Sequence, residues 1–376
     1  MNGKIPLALY IHIPFCSKKC HYCSFYTIPY KEQLITSYCE AVIKEGQKKL
    51  ASLRSSHYVD TVFFGGGTPS LVPPSHIQDI LMALEAHLAR EITLEANPEN
   101  LSQDYLRDLT FTAVNRISIG IQTFNDPLLK LLGRTHNSSK ATEAVSLCSQ
   151  YGFSNVSTDL IYGLPTQSFS DFITDLHQAI ALPIQHISIY NLTVDPHTSF
   201  YKHRKQILPS IANDDSLAKM ALTAEELLES EGFSRYELAS YAKNRAASQH
   251  NLYYWTDQPF LGLGVSASQY LNGIRSKNFS RISHYLRAAH QNLPTVESME
   301  ELPPSEHIKE ALALRLRLCK PIPFGIFPQE LVNEIINNPS IHSLFTTDHQ
   351  AFSLNREGRL FHDSIAEEIM ASSFSF

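Results

Sequence analysis

The sequence predicts an α/β protein: an incomplete (β/α)6 barrel with a mostly helical C-terminal appendage that includes a winged-helix-like hairpin. Three observations predict it. Strand-like and helix-like segments alternate six times between Leu7 and Leu192, which implies right-handed crossovers and a parallel sheet. The strands are aliphatic on one face and polar on the other: Leu7, Leu9, Ile11 and Ile13 oppose Ala8, Tyr10 and His12, and Ile92, Leu94 and Ala96 oppose Thr93, Glu95 and Asn97. Ile117, Ile119 and Ile121 likewise oppose Arg116, Ser118, Gly120 and Gln122. A doubly wound sheet reads apolar on both faces, and a closed eight-stranded barrel fills its interior with branched aliphatics. A polar inner face suits an open barrel that holds a polar ligand. Finally, the alternation stops after Leu192.

In chain order, strands are expected near Leu7–Pro14, Thr61–Phe64, Glu91–Asn97, Arg116–Gln122, Asn155–Tyr162 and His186–Leu192. Between them lie helical patterns over Glu32–Leu53, Pro74–Ala89, Ser102–Thr112, Ser138–Tyr151 and Phe169–Ala181. Pro73–Pro74 precedes the second, Ser102 can N-cap the third and Gly152 follows the fourth. Asn213–Asp214 can cap a helix through Glu231 that Gly232 ends, and Phe233–Leu238 reads as a short strand. Residues 241–270 are rich in aromatics and glycine. Ser305–Leu318 is amphipathic and stopped by Lys320–Pro321. Then follow a helix (Pro328–Asn337), a hairpin (Phe352–His362, around Asn355–Gly358) and a helix (Ser364–Ala371). We therefore divide the chain into a partial barrel, 1–235, and a C-terminal domain, 236–376.

A length of 376 residues agrees with two domains, and 43% apolar against 18% charged residues supplies a substantial core. The net charge of −6 lacks the clustered basic surface of a nucleic-acid binder. Residues 301–376 hold six basic and ten acidic side chains, so the appendage is not expected to bind a duplex. No apolar run approaches the ~18–20 residues of a membrane span. The short apolar stretch after Lys4 resembles a signal peptide but runs straight into Cys16. Three of the six cysteines (Cys16, Cys20, Cys23) fall within eight residues, while Cys39, Cys148 and Cys319 stand alone. This is a thiolate cluster with bystanders rather than a disulfide framework, and it points to a cytoplasmic protein.

The cluster lies in Tyr10-Ile-His-Ile-Pro-Phe-Cys16-Ser-Lys-Lys-Cys20-His-Tyr-Cys23, where Cys16 opens the loop at the C-terminal end of the first strand, the end where α/β barrels build active sites. Three thiolates at C-x3-C-x2-C can bind three irons of a [4Fe–4S] cluster and leave the fourth open. Structural zinc usually has four closed ligands; no second C-x2-C pair exists, and His21 sits awkwardly between cysteines as a fourth ligand. Lys18 and Lys19 read as solvated loop charges.

With Tyr22 before the third cysteine, this motif resembles the radical S-adenosylmethionine (SAM) family. The resemblance implies that the amino and carboxylate groups of SAM chelate the open iron, and that cluster reduction can split SAM into methionine and a 5′-deoxyadenosyl radical. It further implies a SAM pocket formed by Tyr10, Tyr22, Gly66, Gly67 and Thr68 (from Gly65-Gly66-Gly67-Thr68-Pro69), Glu95, Gln122, Arg134 and Asp159. Glu95, Gln122 and Asp159 have the chemistry to recognise hydroxyls and amines, and Arg134 to pair with a carboxylate; each could equally serve hydrogen bonding inside the barrel.

Tyr-Ile-His-Ile-Pro-Phe-Cys, Gly-Gly-Gly-Thr-Pro-Ser, Gly-Ile-Gln-Thr-Phe and Asp-Leu-Ile-Tyr-Gly-Leu-Pro extend the resemblance to the coproporphyrinogen dehydrogenase (HemN-like) group. The oxidative decarboxylase of that group carries an additional cysteine two residues past the third ligand, where this chain has Phe25. Its heme-chaperone branch instead carries His-Asn-x-x-Tyr-Trp, here His250-Asn251-Leu252-Tyr253-Tyr254-Trp255, preceded by Gly232-Phe-Ser-Arg-Tyr-Glu237. That branch implies heme contacts at His250, Asn251, Tyr254 and Trp255, transfer of heme to an acceptor protein, and an electron donor for the cluster. Imidazole is a common heme ligand and Tyr and Trp offer flat apolar faces, yet the same residues could cap a turn and anchor the appendage. Two other readings stand beside the chaperone: oxygen-independent coproporphyrinogen III oxidation, and a metal-stapled interaction module.

Overall fold

In the computed structural model, which describes residues 3–375, the six expected strands form the parallel centre of one sheet. They are β1 (Ile5–Ile13), β2 (His57–Gly66), β3 (Glu91–Ala96), β4 (Arg116–Gln122), β5 (Val156–Tyr162) and β6 (His186–Asn191), side by side in chain order. Register runs from Ile5 opposite His57 to Tyr162 opposite Asn191. The crossovers carry α1 (Glu32–Leu53), α2 (Pro74–Ala83), α3 (Gln103–Leu109), α4 (Asp126–Leu132), α5 (Ser138–Gln150) and α6 (Phe169–Ile180), and α7 (Asp214–Ser230) follows β6. Leu7, Leu9, Ile11 and Ile13 are fully buried in the main core together with Val42 and Leu50 of α1. The aliphatic face therefore meets the helices, and the polar face lines the barrel.

Local chemistry sets the helix ends. The side chains of Ser102, Asn125, Asn137 and Asn213 each accept a backbone N–H at a helix start. Ser168 and Asp171 form a reciprocal capping box on α6. The second helix stops at Ala83 rather than continuing to 89, because Glu85 adopts a left-handed φ of +57° and turns the chain out of the helix.

The sheet continues past residue 235. β7 (Ser234–Arg235) and β8 (Ser240–Ala242) add antiparallel strands beyond β6. The strand expected over 233–238 thus shortens to two residues. After α8 (Gln249–Trp255), β9 (Phe260–Leu263) pairs parallel with the other side of β1. β10 (Ser268–Leu271), β11 (Ile274–Asn278) and β12 (Val296–Glu301) extend it antiparallel, with α9 (Ile282–His290) between the last two. Among the described residues the sheet has twelve strands, ordered β12-β11-β10-β9-β1-β2-β3-β4-β5-β6-β8-β7.

The appendage holds α10 (Pro304–Arg315), β13 (Ile322–Pro323), α11 (Gln329–Ile336), β14 (Phe345–Thr347), β15 (Ala351–Leu354) and α12 (His362–Ala371). They close over a separate core that includes Leu312, Leu331, Ile335, Phe352, Ile365 and Ile369. The hairpin lies earlier than expected. It pairs β14 with β15 through a turn in which the Asp348 carboxylate accepts the N–H groups of Gln350 and Ala351 at 2.6 and 2.8 Å. The turn at 355–358, where Asn355 Oδ1 accepts from Gly358 N–H at 2.8 Å, leads instead into α12. Both are Asx-type turns, and only packing decides which joins strands. Among the described residues, no helix is long and apolar enough to cross a membrane.

Candidate functional site

Beyond β1, Phe15–Cys16 pairs in parallel with Ile28–Pro29 and gathers the cysteine loop into a lobe at the C-terminal end of the barrel. The glycine-rich loop after β2 is laced to its base: Gly67 N–H donates to Ile13 O at 2.7 Å and Thr68 N–H to Phe15 O at 2.8 Å. A Cβ on Gly67 would lie 2.7 Å from Phe15 O and 2.9 Å from Ile13 O, so only glycine allows this approach. The result sets Thr68 Oγ1 3.5 Å from Cys16 Sγ.

A cavity of about 390 Å³ opens here, at the C-terminal ends of the strands. Cys16, Cys20 and Cys23 line it together with Tyr22, Gly66, Gly67, Thr68, Glu95, Gln122, Arg134 and Asp159. Of the residues expected in the SAM pocket, Tyr10 is not part of this lining. It faces the barrel interior one layer lower, and its hydroxyl donates to His12 Nδ1 at 2.9 Å while His12 Nε2–H donates to Tyr26 O at 3.0 Å. Burial holds His12 down to about 4, so the ring is neutral and keeps that pattern.

Arg134 reaches across the cavity floor. Its Nη2 donates to Gly120 O at 2.5 Å and to Asn97 Oδ1 at 2.9 Å, and its Nη1 lies 3.6 Å from Cys20 Sγ. Gln122 reaches the cavity because β4 bulges between Gly120 and Gln122, with Gln122 at φ +73°. A Cβ on Gly120 would lie 2.8 Å from Gln122 Nε2, so the absent side chain makes room for that amide. Glu95 Oε2 accepts from Gly66 N–H at 3.1 Å, but burial and the neighbouring Asp159 charge push its carboxyl up to about 7. Burial also raises Asp159, against hydroxyl donation from Ser188 and Ser118.

The donor set fits the cofactors the sequence implies. Three soft thiols share one wall, and among the described residues no three His, Cys, Asp or Glu side chains converge on a single-ion position, an arrangement compatible with a multi-iron cluster. Two half-buried carboxylates, Glu95 and Asp159, line the cavity with the thiols, and the buried Nε of Arg134 has no hydrogen-bond partner. Such groups suit a ligand that brings ammonium, hydroxyl and carboxylate functions. Asn97 and Gly120, which the sequence places on the polar strand faces with Glu95 and Gln122, also line the cavity, although the family motifs do not assign them to the pocket. Phe25 lies at the cavity rim, 66% exposed.

The lone cysteines are elsewhere. Burial pushes the thiols of Cys39 and Cys148 up to about 12 and that of Cys319 to about 11.

His250, Asn251, Tyr254 and Trp255 share α8, which packs against the opposite, N-terminal end of the barrel. His250 N–H donates to Glu91 Oε1 at 2.8 Å, and Tyr253 OH donates to Asp60 Oδ2 at 2.7 Å. The His250 ring is buried, with Nδ1 2.9 Å from Thr61 Oγ1 and Nε2 2.8 Å from Tyr254 OH. Burial lowers it to about 3, so it is neutral. With both ring nitrogens engaged, His250 offers no free nitrogen to heme iron in this conformation. Trp255 carries the Arg317 guanidinium 4.3 Å over its ring, which ties α8 to the appendage.

The sequence profile of the radical SAM superfamily matches residues 10–179. The chain is 32% identical to the heme chaperone HemW of Lactococcus lactis subsp. lactis (strain IL1403), over 99% of both chains. It is 39% identical to heme chaperone HemW of Escherichia coli (strain K12), over 70% of this chain and 69% of that one. The solved structure of coproporphyrinogen III oxidase (HemN) from Escherichia coli superposes with a TM-score of 0.84 at 22% identity, covering 97% of this chain and 90% of that chain, and shows the same fold. The chain belongs to the HemW family of the radical SAM superfamily.

Proposed function

We propose that this protein is a heme chaperone, which binds heme and passes it to an acceptor protein. The observation that carries the reading is the full-length likeness to a heme chaperone, 32% identity over 99% of both chains. Phe25, standing where the decarboxylase of the wider group has its additional cysteine, supports it against coproporphyrinogen oxidation. Superfamily membership implies a [4Fe–4S] cluster and SAM. In this reading Cys16, Cys20 and Cys23 hold the cluster, and an electron-donor protein reduces it. Six free cysteines suit a reducing compartment such as the cytoplasm.

The chain's own residues would then do the following. Arg134, beside Cys20, binds the carboxylate of SAM through its free guanidinium edge. Glu95 and Asp159 accept from the ammonium and hydroxyl groups of SAM, which relieves two half-buried carboxylates of their mutual repulsion. Gln122 adds an amide from the bulged end of β4. Bound together, a reduced cluster and SAM supply one-electron chemistry. Ligation of heme iron by His250 would require its buried ring to give up Thr61 or Tyr254.

The test combines three assays on anaerobically reconstituted protein. About four irons per chain are expected, with a spectrum that changes on adding SAM. Heme should bind with a Soret band and pass to an apo-hemoprotein under reducing, SAM-replete conditions. Coproporphyrinogen III should remain unconverted. Efficient conversion would replace this reading with the oxidase, and failure of heme transfer would remove the chaperone.

A further inference from the structure

Between the cavity wall and two of the cysteines, one side chain makes both connections. Asn97 Nδ2 donates to Thr68 Oγ1 at 3.3 Å, and Thr68 Oγ1 lies 3.5 Å from Cys16 Sγ. The other end of the same amide, Oδ1, accepts from Arg134 Nη2 at 2.9 Å, and Arg134 Nη1 lies 3.6 Å from Cys20 Sγ. The amide orientation follows from its partners, because a guanidinium only donates and so must face the oxygen. Once Asn97 donates to Thr68 Oγ1, the hydroxyl hydrogen of Thr68 is free to point at Cys16. Asn97 is itself fixed by the backbone: its N–H donates to Ser70 Oγ at 3.2 Å, and Ser70 Oγ donates to Asn100 Oδ1 at 3.3 Å.

We infer that Asn97 is a positioning residue that tunes the reduction potential of the cluster, by aiming the Thr68 hydroxyl at Cys16 and the Arg134 guanidinium at Cys20. The inference rests on Cys16, Cys20 and Cys23 being the cluster ligands. Hydrogen bonds donated to ligand sulfurs withdraw negative charge from the cluster and favour its reduced form. Such donors gain strength where the site is sheltered from water. Arg134 thus has two tasks on separate atoms: Nη1 and Nη2 serve Cys20, Asn97 and Gly120, while Nε lacks a partner.

The experiment is a reductive titration of SAM-free, anaerobically reconstituted protein followed by electron paramagnetic resonance, with iron analysis of every sample. Asn97→Ala is expected to keep about four irons per chain and to be harder to reduce by roughly tenfold in the equilibrium, a shift of about 59 mV to more negative potential for one electron. Thr68→Val should move the potential the same way by less, since it removes one of the two donors, and Thr68→Ser, which keeps the hydroxyl, should restore it. Full iron with wild-type potentials in both Asn97→Ala and Thr68→Val overturns the inference. If Asn97→Ala fails to assemble a cluster, the contrast between Thr68→Val and Thr68→Ser decides alone. Wild-type protein that takes up no iron overturns the ligand assignment itself, and iron analysis reports this before any potential is measured.

Discussion

Glu95 and Asp159 face one cavity, and among the described residues no ion pair reaches either. Glu95 shows the consequence most clearly, because its folded value of about 7 stands above the ordinary 4.5. A carboxyl raised on folding binds its proton more tightly in the native state than in the unfolded chain. Stability therefore falls as pH rises from about 4.5 to about 7 and stays at the lower level above that. Glu95→Gln removes this loss. SAM-free Glu95→Gln protein should be more stable than wild type at about pH 8, by up to ~3 kcal/mol, with the gap closing towards about pH 5. The same change should weaken SAM binding by roughly 1–3 kcal/mol, as should Gln122→Ala and Arg134→Ala, without loss of iron. Thermal midpoints at the two pH values and calorimetry with SAM check both statements, and a pH-independent gap would refute the first. The cysteines divide on similar grounds. Cys16→Ala, Cys20→Ala or Cys23→Ala should abolish the cluster, whereas Cys39→Ala and Cys148→Ala should keep full iron, because those thiols are buried in the core away from the cavity.

Helix α8 shows how one element can fill a barrel end and carry a family motif at once. In His250→Ala, Thr61 Oγ1 and Tyr254 OH lose their ring partner in a buried space, a loss of about 2–4 kcal/mol from the unmet hydrogen bonds and the void together. The expected result is a lower denaturation midpoint with unchanged iron content. Loss of the heme Soret band from protein that is still folded would show that the imidazole gives up Thr61 or Tyr254 to reach the heme. The helix itself was not legible in the sequence, but its part in anchoring the appendage was, and Trp255 plays that part through Arg317. The barrel strands were legible, because each alternates an aliphatic and a polar face, and α7 was, because Asn213 caps its start and Gly232 follows its end. Most of the cavity wall followed from the motifs that carry the family resemblance. What escaped depends on contacts far apart in the chain: β9–β12 lack alternation, α8 is held by Glu91 and Thr61, and Asn97, though legible on the polar strand face, gains its partners only when Thr68 and Arg134 converge on it.

For the molecule as a whole, the appendage has its own core, and what fastens it to the barrel is largely electrostatic. Glu225 on α7 is buried and faces three arginines: Arg235 Nη1 at 3.2 Å, Arg359 Nη2 at 2.6 Å and Arg356 Nε at 3.5 Å. Arg356 also bonds Glu226 Oε1 at 2.7 Å, and a backbone lace runs from Leu238 N–H to Arg317 O and from Cys319 N–H to Tyr236 O. The arginines differ in exposure. Arg235 and Arg359 side chains are 9% and 19% exposed, against 44% for Arg356. Removing the shared carboxylate in Glu225→Gln leaves the two sheltered guanidinium groups without their anion, which costs about 3–5 kcal/mol where a buried pair is broken from one side. Arg356→Ala removes a partner that water largely replaces, worth at most ~1 kcal/mol. Because the cysteine loop touches none of these residues, iron content should be intact in both variants. Glu225→Gln should expose the appendage to limited proteolysis within residues 302–376 before the barrel is cut, and Arg356→Ala should digest like wild type. Equal resistance of Glu225→Gln and wild type would mean that the remaining contacts, among them the backbone lace, Arg317–Trp255, Arg275–Glu310 and His307–Asp257, hold the two parts together without Glu225.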